Sequence, residues 1–466
     1  MSGSLQRIGR GFLAAFLVIA LGLGYWGIVQ RERLLIREDN PRRVLEEQRI
    51  KRGMIVDRQG VVLAETVESA ETGLQVRRYP YPSAAPVVGY YSITYGVGGI
   101  EAAQDAFLRG ESLVPLSQRR INELLNRPQQ GGDVQLTLDL RVQQAVDTAL
   151  QGWQGAAVLV SVPDGAILAM SSQPTYDPNR LDSTWDQLRS SPAAPLVNRA
   201  TQGLYQPGVI LQSVLLGAAL NNGSIDISTA WTGPLSAEIN AMRLPCAGDA
   251  RLYVRTLADA FEWGCPAPFQ AVAEALGAEQ IDRALADFGL LAPPQIELTT
   301  GSAELKSPEA VTDLAMTALG QSTLTVSPLH MVQVAAAFAN NGQIPPLHLL
   351  LATREPGREW QPVPPPVTPR GTISRSAANT VAVLMANAVE DGGAQAAAIP
   401  GYTVHGHSGV AISGPEEQIN AWFIGFVTGP DGQTYAAAVL VENAGDAAVA
   451  ARIGRAGLLA ALEASP

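Results

Sequence analysis

The feature that most constrains this chain is an uncharged run near its start. Between residues 11 and 30 no Asp, Glu, Lys or Arg interrupts an apolar sequence, and at ~1.5 Å per residue a helix of this length crosses a hydrocarbon layer of ~30 Å. A cleaved signal peptide is the alternative, but the run exceeds ~15 residues and ends in the bulky pair Tyr25 and Trp26 rather than in small residues. The sequence therefore predicts one transmembrane helix over 11–30.

The charges around that run predict the orientation of the chain and exclude one class of partner. Arg7 and Arg10 favour a cytoplasmic position for residues 1–10, which places the rest of the chain on the extracytoplasmic side of the membrane. Residues 1–52 carry 10 Lys and Arg against 5 Asp and Glu, which leaves 22 against 38, a net charge of −16, for the remainder. A surface this acidic repels phosphate backbones, so we expect no nucleic acid as a partner.

Turn and strand patterns divide the part after the membrane run into two domains. Residues 31–130 begin with a charged stalk and continue with short β-branched runs broken by Pro and Gly, which indicates a small β-rich pedestal domain. Residues 131–466 carry strands at both ends and helices between them, one of which is predicted over 209–221. This order predicts an α+β fold in which helices flank an antiparallel sheet.

Several motifs, in order along the chain, resemble those of one protein family. Residues 52–64 match the pattern R-G-x-I-x-D-R-x-G-x-x-L-A, residues 95–101 resemble Y-G-x-x-G-I-E, and residues 135–139 resemble the strand that opens the family's catalytic domain. Over nearly its whole length the chain is similar to class B penicillin-binding proteins, which are membrane-anchored D,D-transpeptidases of peptidoglycan synthesis. The resemblance implies a dimerisation-like pedestal and a penicillin-binding transpeptidase-like domain.

The first catalytic motif of that family, S-x-x-K, supplies a serine nucleophile and a lysine base one helical turn later. In this chain Val209 stands at the serine position and Gln212 at the lysine position. An isopropyl group cannot attack a carbonyl, and a carboxamide is not a base in water. Ser213 lies close to the same helix face but is shifted by ~5–6 Å along the axis, and we expect its hydroxyl to bond a helix carbonyl.

The second motif, S-x-N, aligns with Gly264, Cys265 and Pro266, which lack both polar groups. A nucleophilic thiol at Cys265 is one hypothesis, but no neighbouring His or Lys in the sequence suggests a lowered thiol pKa. The two cysteines, Cys246 and Cys265, fit either one bridge in an oxidising compartment or two small buried hydrophobes in a reducing one.

The third motif, K-T-G, aligns with His407, Ser408 and Gly409. Ser408 keeps a hydroxyl, Gly409 keeps room for a ligand backbone, and His407 is a cation only when it is protonated. Two interpretations stay open: a residual site for a terminal carboxylate, or a strand that persists only because the fold requires it. His405 and His407 form an H-x-H pair, but two ligands do not make a metal site, and we expect neither a metal nor a cofactor.

These departures predict a pseudo-transpeptidase, a catalytically inactive membrane protein that acts as a partner or regulator in peptidoglycan synthesis or cell division. The resemblance implies a membrane glycosyltransferase as the type of partner. The first alternative is an active D,D-transpeptidase that uses displaced residues such as Ser213, Cys265 or Ser408. The second is a noncatalytic module that binds peptidoglycan, with His407, Ser408 and Gly409 as its residual ligand site.

Overall fold

Helix α1, Ser2–Gly24, is the first element of the computed structural model, which describes residues 2–26, 30, 47–70, 73–115, 117, 125, 129–239, 242–247, 253–301, 314–413 and 418–464. Its part Arg7–Gly24 is long and apolar enough to cross a membrane, judged by length and composition, and none of it is buried inside the protein. The end of the predicted span, 27–29, and the stalk segment 31–46 lie outside the described residues.

The pedestal, residues 47–115, is built from short strands and short helices. Its elements are β1 Ile55–Val56, β2 Val62–Glu68, β3 Gln75–Arg78, α2 Ala85–Val88, β4 Tyr90–Ser92, β5 Gly96–Gly98, α3 Gly99–Ala103 and α4 Asp105–Leu108. A buried ion cluster joins them: the Glu101 carboxylate accepts from Arg52 Nη2 at 2.7 Å and from Arg77 Nε at 2.6 Å. Because Arg52 precedes β1 and Arg77 lies on β3, the cluster ties both to α3.

The larger domain follows with alternating strands and helices. Its elements are β6 Asp133–Leu136, α5 Leu140–Leu150, β7 Gly155–Val162, β8 Ile167–Gln173, α6 Leu181–Ser190, α7 Gln212–Asn222, β9 Ala237–Ile239, β10 Met242–Leu244, α8 Leu257–Glu262, α9 Pro266–Asp287, α10 Leu314–Ala318, α11 Pro328–Ala339, β11 Gln343–Ile344, β12 Leu350–Arg354, β13 Gln361–Pro362, β14 Arg370–Gly371, α12 Arg375–Glu390, β15 Val404–Ser413, β16 Gln418–Thr428, β17 Thr434–Val441 and α13 Ala447–Ala464. A 3-10 turn, Gly208–Leu211, precedes α7, so the helix predicted over 209–221 begins three residues later than expected.

Two larger sheets organise these elements. The central sheet has the order β15-β16-β17-β7-β8, and all its neighbours are antiparallel. A second sheet, β13-β12-β6-β1-β2-β3, takes strands from both domains, with β1 parallel to β6. The sheet therefore crosses the boundary predicted between residues 130 and 131. Early and late strands meet in the central sheet with helices on its faces, and the predicted α+β fold is confirmed.

The two faces of the central sheet pack against different helices because side chains alternate along each strand. Val158 and Ile424 belong to the core that includes α7 and α11. Leu159 and Phe423, their chain neighbours, face the core that includes α5 and α13. These side chains are fully buried, and burial of each contributes roughly 1.5–3 kcal/mol. The sheet is thereby held rigid from both sides, and its edge strand β15 carries the predicted K-T-G positions.

Candidate functional site

The three predicted motif positions come together at the edge strand β15. Val209, in the 3-10 turn before α7, packs against the backbone of Gly409: a Cβ added to Gly409 would lie 2.8 Å from Val209 Cγ1. A Cβ added to Gly264, in the link between α8 and α9, would lie 3.3 Å from Val209 Cγ1 and 3.2 Å from the Ser408 carbonyl oxygen. Val209 of the first motif position thus contacts both Gly264 of the second and Gly409 of the third.

The space around Val209 is closed to solvent. The exposed fraction is 1% for Val209, 0% for Gln212 and Cys265, 1% for His407 and 2% for Ser408. Gly264, Pro266 and Gly409 are buried as well. A nucleophile must be accessible to its substrate from solvent. In this conformation none of these buried side chains is accessible.

A short hairpin of β9 and β10 forms part of the cover. Ala237 and Ile239 of β9 and Leu244 of β10 form one apolar cluster with Val209 and with Ile412 on β15. Sequence reasoning missed this hairpin. The signal for it was the alternation of apolar and charged side chains on both strands, Ala-Glu-Ile and Met-Arg-Leu, which is typical of short paired strands.

The hairpin is tethered to the site by a disulfide between Cys246 and Cys265. Of the two states that the sequence left open, the structure therefore has the bridge. The hypothesis of a nucleophilic thiol at Cys265 is wrong, because both sulfurs are bonded and no thiolate is free. Trp263 stacks on Tyr253 beside the bridge, with ring centroids 5.0 Å apart.

Gln212 and Ser213 are buried side by side at the start of α7. Gln212 Nε2 donates to the Cys265 carbonyl oxygen at 3.0 Å, whereas Gln212 Oε1 has no partner among the described residues. The expectation that Ser213 bonds a helix carbonyl is wrong, since its Oγ has no partner among them either. The carbonyl four residues earlier belongs to Val209, which accepts from the Gln212 N–H in the 3-10 turn instead. The turn thus diverts the acceptor that a regular helix would offer.

His407 is a neutral, buried ring rather than a cation. Its imidazole stacks on Phe261, with centroids 4.3 Å apart and planes 3° from parallel. Burial lowers the pKa of His407 from 6.5 to about 4, and a hydrogen bond with the Val209 backbone opposes this only in part. Within the described part of the chain, His407 Nε2 has no hydrogen-bond partner. At neutral pH this position therefore provides no positive charge for a carboxylate.

The other polar groups of β15 are already engaged. The Ser408 hydroxyl donates to the Gly393 carbonyl oxygen at 2.8 Å. His405, the second member of the H-x-H pair, bonds the Ala382 carbonyl oxygen through Nδ1 at 2.8 Å and stacks on Phe426. Among the described residues no group of three or more His, Cys, Asp or Glu side chains is placed to hold a metal ion.

A hydrogen-bond network anchors the segment that leads to Val209. Glu442, next to the end of β17, accepts from Tyr205 Oη at 2.7 Å and from Arg199 Nε at 2.8 Å. Trp422 Nε1 donates to the Gln206 carbonyl oxygen at 3.0 Å. The backbone before the predicted nucleophile position is thus fixed to β16 and β17 of the central sheet, independently of the residue that occupies position 209.

Comparisons with known proteins identify both domains. A family model described as the penicillin binding protein transpeptidase domain matches residues 155–458, and one described as the penicillin binding protein A dimerisation domain matches residues 52–134. A Mycolicibacterium smegmatis protein named peptidoglycan D,D-transpeptidase PbpA is 30% identical to this chain over an alignment that covers 99% of each.

Solved structures of a relative have the same fold. The crystal structure of PBPA from Mycobacterium tuberculosis superposes with a TM-score of 0.78 at 30% identity and covers 88% of this chain and 99% of that one. The penicillin G acyl-enzyme complex of the same Mycobacterium tuberculosis protein gives 0.76 at 29% identity, over 88% and 99% of the two chains. That relative is therefore acylated by penicillin.

Proposed function

This chain belongs to the penicillin-binding protein transpeptidase family of peptidoglycan synthesis, and on that premise we propose that it works by binding other components rather than by acyl transfer. Acyl transfer through a serine ester needs a hydroxyl nucleophile, a neighbouring base and donors that stabilise the tetrahedral intermediate. The proposal depends on whether any side chain of this chain can fill those three roles.

The observation that carries the proposal is the buried alkyl group of Val209 at the nucleophile position. Val209 occupies the point where the three motif positions meet, and it packs against Gly409 and under the β9–β10 hairpin. The neighbouring Gln212 side chain is held by the Cys265 carbonyl and carries no basic atom. A hydroxyl and an amine are thus replaced by an alkyl group and a neutral amide.

The residues left as displaced nucleophiles are unsuited to the reaction for different reasons. Cys265 is in a disulfide, and the Ser408 hydroxyl is engaged with the Gly393 carbonyl. Ser213 has a free hydroxyl, but it is fully buried and makes no hydrogen bond to a base among the described residues. The same burial of His407 and Ser408 supports binding through surfaces other than β15, and so weighs against a residual peptide site on that strand.

As a noncatalytic family member, the chain acts as a partner or regulator in a complex that synthesises the cell wall. We propose that α1 lies within the cytoplasmic membrane, because Arg7–Gly24 is long and apolar enough to cross a bilayer. We propose that the large domain lies outside that membrane, because Arg7 and Arg10 favour a cytoplasmic N-terminus. A membrane glycosyltransferase, contacted through α1 and the pedestal, is the proposed partner. Co-purification from solubilised membranes tests this part separately.

Covalent labelling with a fluorescent penicillin tests the absence of acyl transfer. The full-length protein in detergent is incubated with the reagent, with and without a thiol reductant that releases the hairpin, beside PBPA of Mycobacterium tuberculosis as the positive control. We expect label on PBPA and none on this chain in either condition. The double variant Val209→Ser, Gln212→Lys should also stay unlabelled, because the S-x-N groups remain absent.

A penicillin adduct on the wild-type chain would overturn the proposal. If Ser213→Ala then removed the label, the displaced-serine alternative would be correct. An adduct that appears only in the double variant would mean that the second motif lies somewhere other than at Gly264, Cys265 and Pro266.

A further inference from the structure

A second feature, separate from the candidate site, lies where the pedestal meets the larger domain. A cavity of about 460 Å³ is lined by α2, α3 and the β4–β5 hairpin on one side and by the ends of β8 and the loops at 195–202 and 297–299 on the other. This volume is within the usual range for small-molecule sites, ~300–1,000 Å³. None of its lining residues belongs to the three motif positions.

Hydrogen bonds between the two domains hold the cavity walls in place. Asn198 Nδ2, from the larger domain, donates to the Pro86 carbonyl oxygen of α2 at 2.7 Å. Nearby, Asn179 and Tyr79 exchange two hydrogen bonds, with Tyr79 N donating to Asn179 Oδ1 at 2.9 Å and Asn179 Nδ2 donating to the Tyr79 carbonyl oxygen at 2.8 Å. A ligand would therefore enter a preformed space and would not have to order its walls.

The lining excludes an anionic ligand and favours a neutral polar one. Among the described residues that line the cavity there is no Lys, Arg or His, and the one ionisable carboxylate, Glu297, already accepts the backbone N–H groups of Leu349 and Leu350 at 2.8 and 3.1 Å. Thr175 is one of the lining residues, and its Oγ1 is buried and has no hydrogen-bond partner within the described ranges. A hydroxyl in that state loses hydrogen bonds with water and gains none in return, unless a ligand supplies them.

Aromatic rings complete the site. Tyr90 of the pedestal and Tyr176 of the larger domain both line the cavity and meet edge to face, with centroids 6.0 Å apart. Trp185 and Tyr95 are not lining residues but support Tyr90 from behind: the Trp185 ring centroid lies 6.2 Å from that of Tyr90, and Tyr95 stacks on Trp185 at 4.4 Å. Flat apolar rings beside hydroxyl groups match the two surfaces of a sugar, which has apolar C–H faces and polar edges.

We infer that this interdomain cavity binds a neutral saccharide, the uncharged sugar backbone of a glycan strand. Phosphate-bearing and carboxylate-rich ligands find no cation among the described lining residues, whereas a sugar finds the Tyr90 and Tyr176 rings and the unsatisfied Thr175 hydroxyl. The inference rests on the proposed function only in naming the glycan as peptidoglycan, the polymer that the family synthesises. The cavity holds the chain on glycan while the closed candidate site takes no part.

Calorimetric titration of the full-length protein in detergent with N-acetylated chitotetraose tests the inference. Tryptophan fluorescence gives a second readout, and because the chain has seven tryptophans, the change on binding is compared between the wild type and Trp185→Phe. We expect saturable binding, weakened about fivefold by Thr175→Val through the loss of one hydrogen bond. Ala103→Trp, at the exposed end of α3 on the cavity wall, should weaken binding by about tenfold or more because its ring occupies the space. The matched controls are Thr380→Val and Ala286→Trp, which lie on helices α12 and α9 and do not line the cavity. Thr380 is half-buried and Ala286 is exposed, and both variants should leave binding unchanged.

Absence of binding, or binding that Ala103→Trp and Thr175→Val leave unaltered, would overturn the inference. Equal weakening by the control variants would overturn it as well, because the effect would then not come from the cavity. The penicillin-labelling result is independent of each of these outcomes, so failure of the saccharide site and failure of the proposed function remain distinguishable.

Discussion

The pedestal and the candidate site both bury polar side chains, but they pair them differently. In the pedestal, Glu101 is fully buried and each of its carboxylate oxygens accepts from an arginine, Arg52 or Arg77. One atom of this cluster, Arg77 Nη2, has no partner among the described residues, but the charges themselves are paired. In the candidate site Gln212 Oε1, Ser213 Oγ and His407 Nε2 are buried without any partner in the described part of the chain. A buried polar atom without a partner costs about 1–3 kcal/mol, so the polar groups of the site oppose folding.

The electrostatics of the two regions follow the same division. Burial alone would raise the pKa of the Glu101 carboxyl, but Arg77 and Arg52 hold it below its usual value. No comparable partner among the described residues offsets the burial of His407, and its pKa falls to about 4. The pedestal is thus organised as a stable support, whereas the candidate site keeps polar side chains that its closed conformation does not pair.

The largest effect is expected for Glu101→Gln in the pedestal. The substitution keeps the shape of the side chain but removes the carboxylate that pairs with the buried Arg77 guanidinium and leaves Arg52 with Asp105 alone, at 2.6 Å. We expect a loss of about 3–5 kcal/mol in the free energy of unfolding. Urea unfolding of the purified full-length protein measures it. The control is Glu65→Gln, because Glu65 faces the exposed Arg78 at 3.8 Å and such surface pairs contribute less than about 1 kcal/mol. Equal losses in both variants would contradict the comparison.

A smaller effect is expected from the titration of His407. Its pKa is about 4 in the folded protein, against 6.5 for an unperturbed histidine, so between those values the unfolded chain binds the additional proton. Stability should therefore be constant above about pH 6.5 and should fall as the pH decreases towards 4, by up to about 1.4 kcal/mol per pH unit for this one group.

Urea unfolding at several pH values, in the wild type and in His407→Gln, measures this contribution. His330 also has a pKa lowered by burial to about 4, so the free energy of unfolding of the variant should still depend on pH. Its slope against pH should be smaller than that of the wild type by the contribution of one proton. The two curves should be parallel above about pH 7, where neither form of the chain takes up the proton. Curves that stay parallel down to about pH 4.5 would show that His407 titrates as an exposed residue, and hence that the site is open.

The sequence predicts the outline of this molecule better than the interior of its site. Membership of the penicillin-binding protein family and the α+β fold are both confirmed, because they depend on motifs and on strand periodicity that the linear sequence displays. The assignment of Val209 and Gln212 to the catalytic positions, and the inactivity that follows from it, stay predictions.

The rest could not be predicted because it depends on contacts distant in sequence. The spacing of Cys246 and Cys265 fits a bridge and two separate thiols equally well, and the two sulfurs meet within an apolar cluster that also contains Val254, Ala260 and Trp263. The unsatisfied hydroxyl of Ser213 follows from a 3-10 turn that a helical pattern does not reveal. The neutral state of His407 follows from its burial, and the ring that stacks on it belongs to Phe261, a residue far earlier in the chain.

The smallest effect is expected for Gln212→Leu, which replaces a partly paired buried amide with an apolar side chain. Gln212 makes one hydrogen bond, to the Cys265 carbonyl, and buries one oxygen that is unpartnered among the described residues. Leucine removes both the hydrogen bond and the unpartnered oxygen. The loss of the bond and the removal of the oxygen's desolvation cost offset each other, and we expect the free energy of unfolding to change by less than about 1 kcal/mol.

Gln143 is equally buried but fully paired, with Nε2 donating to the carbonyls of Ser83 and Met170 and Oε1 accepting from Met170 N. Gln143→Leu should therefore cost at least about 2 kcal/mol, and similar losses in the two variants would mean that the polar groups of the site are as well satisfied as those around the pedestal.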